Sequence, residues 1–538
     1  MSLVSMQFFT FIVVALIGYY LIPKRFQWIW LLLFSYVYYI SYGVKYVFFI
    51  LYTTCVTYFS ALLIYCIGKK IDDNNKKSIE HKKKMVIIIA LLLEFGVLAV
   101  LKYTNFVIEN INSIFNSDIS MMKLILPIGI SFYTFQSVGY VLDVYWERCR
   151  PEKNFLKLAL FVSFFPQIMQ GPIGRYSNLA HQLYDSHSFN VYNIERGMQR
   201  ILWGLFKKLV IADNAALFVN PIFDNYRDYD GLAILGVLAY SAQLYGDFSG
   251  AMDIVIGIAQ MFGIKMDENF QRPYFSISIT DFWHRWHITL GTWMKDYLFY
   301  PLTFSGWMSK LGKFCKKRVG KVHGRAIPVC IANIIVFLVV GIWHGAAWKY
   351  IVYGLYNGLI IGISGVLASE YRRWKNKLNI DDKSNKWRIV QTIRTFILVN
   401  ISWFFDRADT ITQAFIMMKN AFTKWKPSQI MTIEISTSGI KYTIMSLAIV
   451  FIGCAIVFAV SFCQEKGMHV RESISKRPMI VRWGLYVVMI ISLSALGVTP
   501  RLSGGFIYAQ FKKNNLSGNG CCNYSGNKYN IEPCISAI

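Results

Sequence analysis

Apolar residues fill this chain in long stretches, and the short polar segments between them are dominated by Lys and Arg. A helix rises about 1.5 Å per residue, so about 20 mostly apolar residues cross a hydrocarbon core about 30 Å thick. Runs of that kind lie near 7–22, 26–42, 44–67, 85–103, 123–144, 155–170, 199–220, 231–248, 249–264, 326–345, 348–368, 389–405, 440–462 and 483–499. Several are short or carry polar residues. The pattern therefore predicts an all-α polytopic membrane protein with about eleven full crossings. The remaining runs are expected as re-entrant or interfacial helices, which exist only where protein covers their polar backbone. The first run begins at Phe8 with no Lys or Arg ahead of it and no small-residue cleavage site, so it reads as a retained helix. No fixed-period repeat and no pair of related halves, the mark of many transporters, is visible.

Charge sharpens the picture. The 538 residues include 56 Lys or Arg and 30 Asp or Glu, a net +26, yet only 16% are charged where soluble domains carry about 25%. A hydrophobic fraction of 55% excludes a disordered chain or a coiled coil. A nucleic-acid binder would spread its basic residues over a polar surface, whereas here they sit in loops between apolar runs. Four loops are densely basic: 69–84, 310–325, 372–388 and 466–482. If 310–325 is cytoplasmic, the pair 326–345 and 348–368 returns the chain to that side at 372–388. The pair 389–405 and 440–462 returns it again at 466–482, as the positive-inside tendency requires. An acidic partner docking on the same loops is compatible with this orientation. The ten Cys show no metal-ligand spacing, and those at Cys55, Cys66, Cys330, Cys454 and Cys463 read as small apolar packing residues.

Residues that anchoring alone does not require gather between about 127 and 357. The densest stretch runs from Asp281 through His284, Arg285, Trp286 and His287 to Thr303. As a helix it would pair Asp281 with Arg285, four apart, and set His284 and His287 on one face. It is too polar to span lipid, so a re-entrant or buried amphipathic element lining a cavity is expected. The second feature is Gly341-Ile-Trp343-His344-Gly345, which ends a strongly apolar run. Ionisable residues at such positions face a protein interior or a water-filled cavity and mark function. Histidine suits removal of a proton from a hydroxyl, and no GxSxG-type nucleophile accompanies these two. A direct general-base reaction fits better than a covalent intermediate. The plainer readings are a packing His at a helix end for His344, a backbone-bonded His for His287 and a solvated His284. Eight His in all, most of them in loops, are too few for a multi-box di-iron centre, and no metal site is expected.

These residues resemble the membrane-bound O-acyltransferase (MBOAT) family, in its alginate O-acetylase-like branch. The resemblance rests on a series of pieces in order: Pro127–Gln136, Tyr140–Tyr145, Phe164–Gln167 with Gly171–Tyr176, Tyr245–Asp253, Asn269–Tyr274, Asp281–His287 and Trp343–Gly345. It implies a ring of about eleven transmembrane helices with re-entrant and interfacial helices around a central tunnel. N-terminal transmembrane helices would occupy 1–124, the catalytic core 125–368 and C-terminal transmembrane helices 369–511. By the same resemblance His344 activates the acceptor hydroxyl and His287 is the second histidine of the site. Trp343, Trp286, Asp281, Arg285, Gln136, Tyr245 and Asp247 would line or support the tunnel. No bound cofactor is implied; the co-substrate is an acyl thioester, acetyl-CoA or an acyl-carrier protein, whose acidity suits the basic loops. Partners would be membrane lipid, a polysaccharide acceptor and an extracytoplasmic acetyltransferase or esterase-like relay protein, with no nucleic acid. The implied place is the bacterial cytoplasmic membrane, with many passes. Two relatives in chemistry stay open, D-alanyl transfer to teichoic acid and peptidoglycan O-acetylation; a transporter without chemistry is the reading from another class. His284 stands where the branch usually has Arg or Asn. A polar tail, 512–538, with Cys521, Cys522 and Cys534, extends past the segment Gly505–Phe511 where such chains typically end, and is expected to be disordered and outside catalysis.

Overall fold

A computed structural model describes residues 1–70, 75–168, 170–433, 443–498 and 506. The tail 512–538 and most of Gly505–Phe511 lie outside the described residues. Helices α1 (Met6–Leu21), α2 (Gln27–Ile40) and α3 (Val47–Gly68) lead into the long α4 (Lys76–Phe115). The middle of the chain forms α5 (Ile130–Tyr145), α6 (Phe155–Ser163), α7 (Phe165–Ile168), α8 (Tyr176–Tyr184), α9 (Val191–Leu205), α10 (Asp213–Asp224) and α11 (Ala233–Met261). A π-helical stretch, Phe206–Ala212, joins α9 to α10. Short helices α12 (Ile279–Arg285), α13 (Ile288–Met294) and α14 (Tyr300–Thr303) follow, then α15 (Gly306–His344), α16 (Trp348–Val366) and α17 (Ala368–Lys377). The described chain closes with α18 (Asn385–Arg407), α19 (Ile411–Thr423), α20 (Thr443–Glu465), α21 (Val470–Ser475) and α22 (Met479–Leu496). Side-chain oxygens of Ser5, Asn154, Asn190, Ser278, Ser305, Ser384 and Thr410 cap the starts of α1, α6, α9, α12, α15, α18 and α19, satisfying N–H groups that no helix can pair internally. Among the described residues there is no strand, only an isolated antiparallel bridge between Phe270 and Trp286.

This is a polytopic, all-helical membrane protein, but fewer helices are long enough to cross than the apolar runs suggested. Among the described residues five qualify by length and hydropathy, Val44–Gly68, α4, α15, Met445–Glu465 and α22, with a sixth if α16 and α17, bent by 62°, count as one span. At least one other apolar run is surrounded by protein: α5 is buried along almost its whole length. The runs 231–248 and 249–264 are one helix, α11. The polar stretch between them reads as a break, yet its acids are paired from α9 and the π-helical stretch. Lys208 reaches Asp247 at 2.6 Å and Asp213 at 2.7 Å, while Lys207 and Arg200 reach Asp253 at 2.6 and 2.9 Å. Asp247 and Lys208 are each 1% exposed, so counter-charges rather than water keep the helix intact.

Helices α9 and α11 meet backbone to backbone. A Cβ on Gly204 would lie 2.6 Å from the Gly250 carbonyl oxygen, and one on Gly250 would lie 2.7 Å from that of Gly204. Small residues at such a crossing let two membrane helices approach closely.

Polar contacts at helix ends show how the second half of the chain alternates. At one end His323 lies 3.3 Å from Glu370 and Arg388 lies 2.8 Å from Glu465. These ends carry the basic segments 310–325, 372–388 and 466–482. At the other end Lys102 meets the Trp343 carbonyl, and Lys349 donates to the carbonyls of Asp406 and Ala408 at 3.2 and 2.6 Å. Contacts of Lys102 and Lys349 thus lie at the ends of α15, α16 and α18 away from those basic segments.

Candidate active site

The site is built where a polar helix breaks. Ser278 caps α12 by accepting from the Asp281 N–H at 3.0 Å, and the Asp281 carboxylate accepts from the Ile277 N–H at 3.0 Å. Asp281 and Arg285 pair at 2.9 Å across one turn. Arg285 also reaches Glu465 at 3.1 Å, where Arg272 and Arg388 converge at 2.8 Å each. One carboxylate near the basic end therefore ties α12 to α18, α20 and the segment before α12.

The helix stops at Trp286, and His287 follows in the left-handed region, φ +48° and ψ +52°. A non-glycine residue there is strained by about 1–2 kcal/mol unless its surroundings fix it. They do: the Gln271 N–H donates to the Arg285 carbonyl at 2.9 Å and the Ile288 N–H to the Asn269 carbonyl at 3.0 Å. The break corrects the expectation that His284 and His287 share a helix face. His284 is exposed, whereas His287 is 2% exposed and turned inward. Its Nδ1 lies 3.2 Å from Asn269 Oδ1, and its Nε2 is buried with no hydrogen-bond partner among the described residues. Phe248 packs perpendicular to the imidazole, with ring centroids 4.9 Å apart.

His344 is the last residue of α15, beyond which Gly345 is extended. The carbonyls at this helix end have no intrahelical donors, and α4 supplies them. The Lys102 ammonium donates to the Trp343 carbonyl and lies 5.9 Å from the centre of its indole. The Tyr103 hydroxyl donates to the Ile342 carbonyl at 2.6 Å. The His344 ring is half-buried and packs against Tyr353 at 5.4 Å and Tyr350 at 6.2 Å.

Trp343 joins the two motifs, with ring centroids 5.9 Å from His287 and 5.1 Å from His344. Residues 57 apart in sequence therefore flank one indole (344 − 287 = 57). Trp286 lies on the other side of the break, in an aromatic group with Phe282, Tyr245, Tyr274 and Trp403 at 5.4–6.3 Å. Tyr245 thus packs against Trp286. Gln136 and Asp247 do not stand beside the imidazoles in the same way. Gln136 donates to the Phe161 carbonyl at 2.7 Å, linking α5 to α6, while its neighbour Phe135 meets Trp343 at 6.1 Å. Asp247 turns to Lys208, while the next residue, Phe248, faces His287.

Asn269, Thr289, Lys102 and Tyr353 escape a reading of the sequence as site residues. Asn269 opens one of the quoted motif pieces, and Lys102 is the lone charge near the end of the run 85–103 that carries the signal of an ionisable group in apolar surroundings.

Comparison with known proteins decides the family. Its sequence profile, described as the membrane-bound O-acyltransferase family, matches residues 152–316. A "Probable alginate O-acetylase" of Pseudomonas putida is 31% identical over 530 residues, 94% of this chain and 98% of that protein. The chain belongs to the membrane-bound O-acyltransferase family. A peptidoglycan O-acetyltransferase of Helicobacter pylori is likewise 31% identical, over 86% of this chain and 89% of that protein. A teichoic acid D-alanyltransferase of Bacillus subtilis is 30% identical over 50% of this chain and 66% of that protein. The chain is thus an O-acyltransferase that draws on an acyl donor as co-substrate. Two imidazoles held in a largely apolar, aromatic-walled interior are suited to moving a proton while excluding water.

Proposed function

We propose that this O-acyltransferase moves an acetyl group from a cytoplasmic thioester, acetyl-CoA or an acyl-carrier protein, to hydroxyls of an extracellular polysaccharide, directly or through a relay protein on the outer side of the bacterial cytoplasmic membrane. His344 takes the proton of the attacking hydroxyl. The oxygen bonds to the thioester carbonyl carbon, the C–S bond breaks, and the proton passes from the imidazolium to the departing thiolate. His287 binds and orients one of the reacting groups. Trp343 and Trp286 limit the water that would otherwise hydrolyse the thioester. Asp281 and Arg285 hold the element that carries His287. The observation that supports this reading best is the indole of Trp343 with one imidazole 5.9 Å away and the other 5.1 Å away.

The test is His344→Ala, with the O-acetyl content of surface glycans as readout. Acetylation should fall to background while the protein accumulates normally; undiminished acetylation sinks the assignment. Mass analysis of glycans from the parent and a deletion strain separates acceptors. Loss of D-alanyl esters points to teichoic acid, loss of acetyl from muropeptides to peptidoglycan, and loss from an exopolysaccharide to the favoured reading.

A further inference from the structure

We infer that Asn269 is a positioning residue that fixes the tautomer of His287, so that Nε2 of this imidazole meets the reacting groups as a hydrogen-bond acceptor. The inference rests on His287 belonging to the reaction centre. It follows from a closed chain of donors and acceptors. The Ile173 N–H donates to Thr289 Oγ1 at 3.0 Å, which leaves the hydroxyl proton of Thr289 to go elsewhere. It goes to Asn269 Oδ1 at 2.9 Å, and the backbone N–H of Thr289 donates to the same atom at 3.0 Å. A backbone N–H only donates, so the atom it meets is the amide oxygen. The reversed amide would set an NH2 group against that N–H. The amide nitrogen instead points to Met252 Sδ at 3.3 Å, a weak acceptor.

His287 Nδ1, 3.2 Å from Asn269 Oδ1, therefore carries a hydrogen. In a neutral imidazole the other nitrogen then holds a lone pair and no proton. That nitrogen is the buried Nε2, which has no hydrogen-bond partner among the described residues. The Asn269 carbonyl also accepts from the Ile288 N–H, so one residue fixes the ring and the left-handed backbone that aims it.

The consequence concerns the chemistry that Nε2 can recognise. A neutral His287 cannot donate from Nε2 to an oxyanion; it accepts from an O–H or an N–H. That donor comes from the acceptor hydroxyl or from an amide of the thioester's arm.

The experiment uses the full chain in lipid nanodiscs with acetyl-CoA as donor, alongside O-acetyl content in cells, for His287→Ala, Asn269→Leu and Asn269→Asp. The parent and variants also carry 15N-labelled histidine, with His287 assigned by its absence in the Ala variant. The parent should show a protonated Nδ1 and a bare Nε2. Asn269→Leu should lose about 10–100-fold in activity, as when a partner that orients a metal-bound histidine is removed, and lose that nitrogen signature. Asn269→Asp keeps an acceptor in place and should restore both to within about threefold. A loss confined to KM for acetyl-CoA assigns the Nε2 contact to the donor; a loss confined to kcat assigns it to the hydroxyl. A protonated Nε2 in the parent overturns the inference, as does an Asp variant as inactive as the Leu variant. Full activity in Asn269→Leu beside an inactive His287→Ala overturns it too. If His287→Ala is itself active, the reading of the site fails instead, and the nitrogen spectrum still reports on the tautomer.

Discussion

Lys102 is a charged side chain that an apolar helix carries for one identifiable purpose. It meets the carbonyl of Trp343, one residue before His344, at a helix end where the carbonyls carry partial negative charge. A hydrogen bond from a charged donor is worth about 1.5–3 kcal/mol, and if that energy is spent on holding His344, its loss appears in the rate. Lys102→Met should therefore reduce transfer by about 10–100-fold with the protein still inserted and its melting temperature little changed. Equal loss of folded protein and activity would mean that the lysine serves stability alone. The two histidines were legible in the sequence because ionisable groups stand out against apolar neighbours. Lys102 and Asn269 act through partners 241 and 18 residues away, and no spacing rule connects such pairs. His284 misleads for a related reason: helical spacing places it beside His287 only if the helix continues, and the left-handed turn at His287 ends it.

The elements tell the same story in reverse. Hydropathy sees the polar stretch 245–253 as an interruption, because it cannot see Arg200, Lys207 and Lys208 on the neighbouring segment. Once those charges are paired, α11 is a single rod carrying Phe248 to His287 and Met252 to Asn269. The position of that rod depends on its glycine contact with α9. Gly250→Val would push side-chain atoms into the Gly204 carbonyl, and overpacking of this kind costs about 1–3 kcal/mol or more. The expected outcome is a lower melting temperature of the purified protein and lost acyl transfer together. Gly365→Ala is the control, because a Cβ there meets nothing within 4 Å. A variant at Gly250 as stable and active as this control would show that the crossing is looser than the backbone distances imply.

At the scale of the whole molecule, the net charge of +26 has two explanations that one set of substitutions can separate. The helix-end contacts collect the segments 310–325, 372–388 and 466–482 at one end. If their charge serves orientation alone, replacing a few residues in a single segment, with the others intact, leaves catalysis unchanged. If it also gathers an acidic thioester donor, the same change weakens capture of that donor, because clefts of one sign raise the local concentration of the other. The triple change Lys316→Glu, Lys317→Glu and Arg318→Glu tests this, since all three lie in one segment away from both histidines. Orientation is checked first, with Cys placed at Lys383 and Lys476 and at Lys424 on the opposite end. A membrane-impermeant maleimide should label only the last in intact cells, above the labelling of the parent. With orientation unchanged, the KM for acetyl-CoA should rise about tenfold at low salt, and kcat should hold. The difference should shrink at high ionic strength, where the Debye length falls to about 3 Å at 1 M. An unchanged KM would leave the basic end with topology as its one task and move the search for the donor's phosphate contacts inward, to the arginines gathered around Glu465.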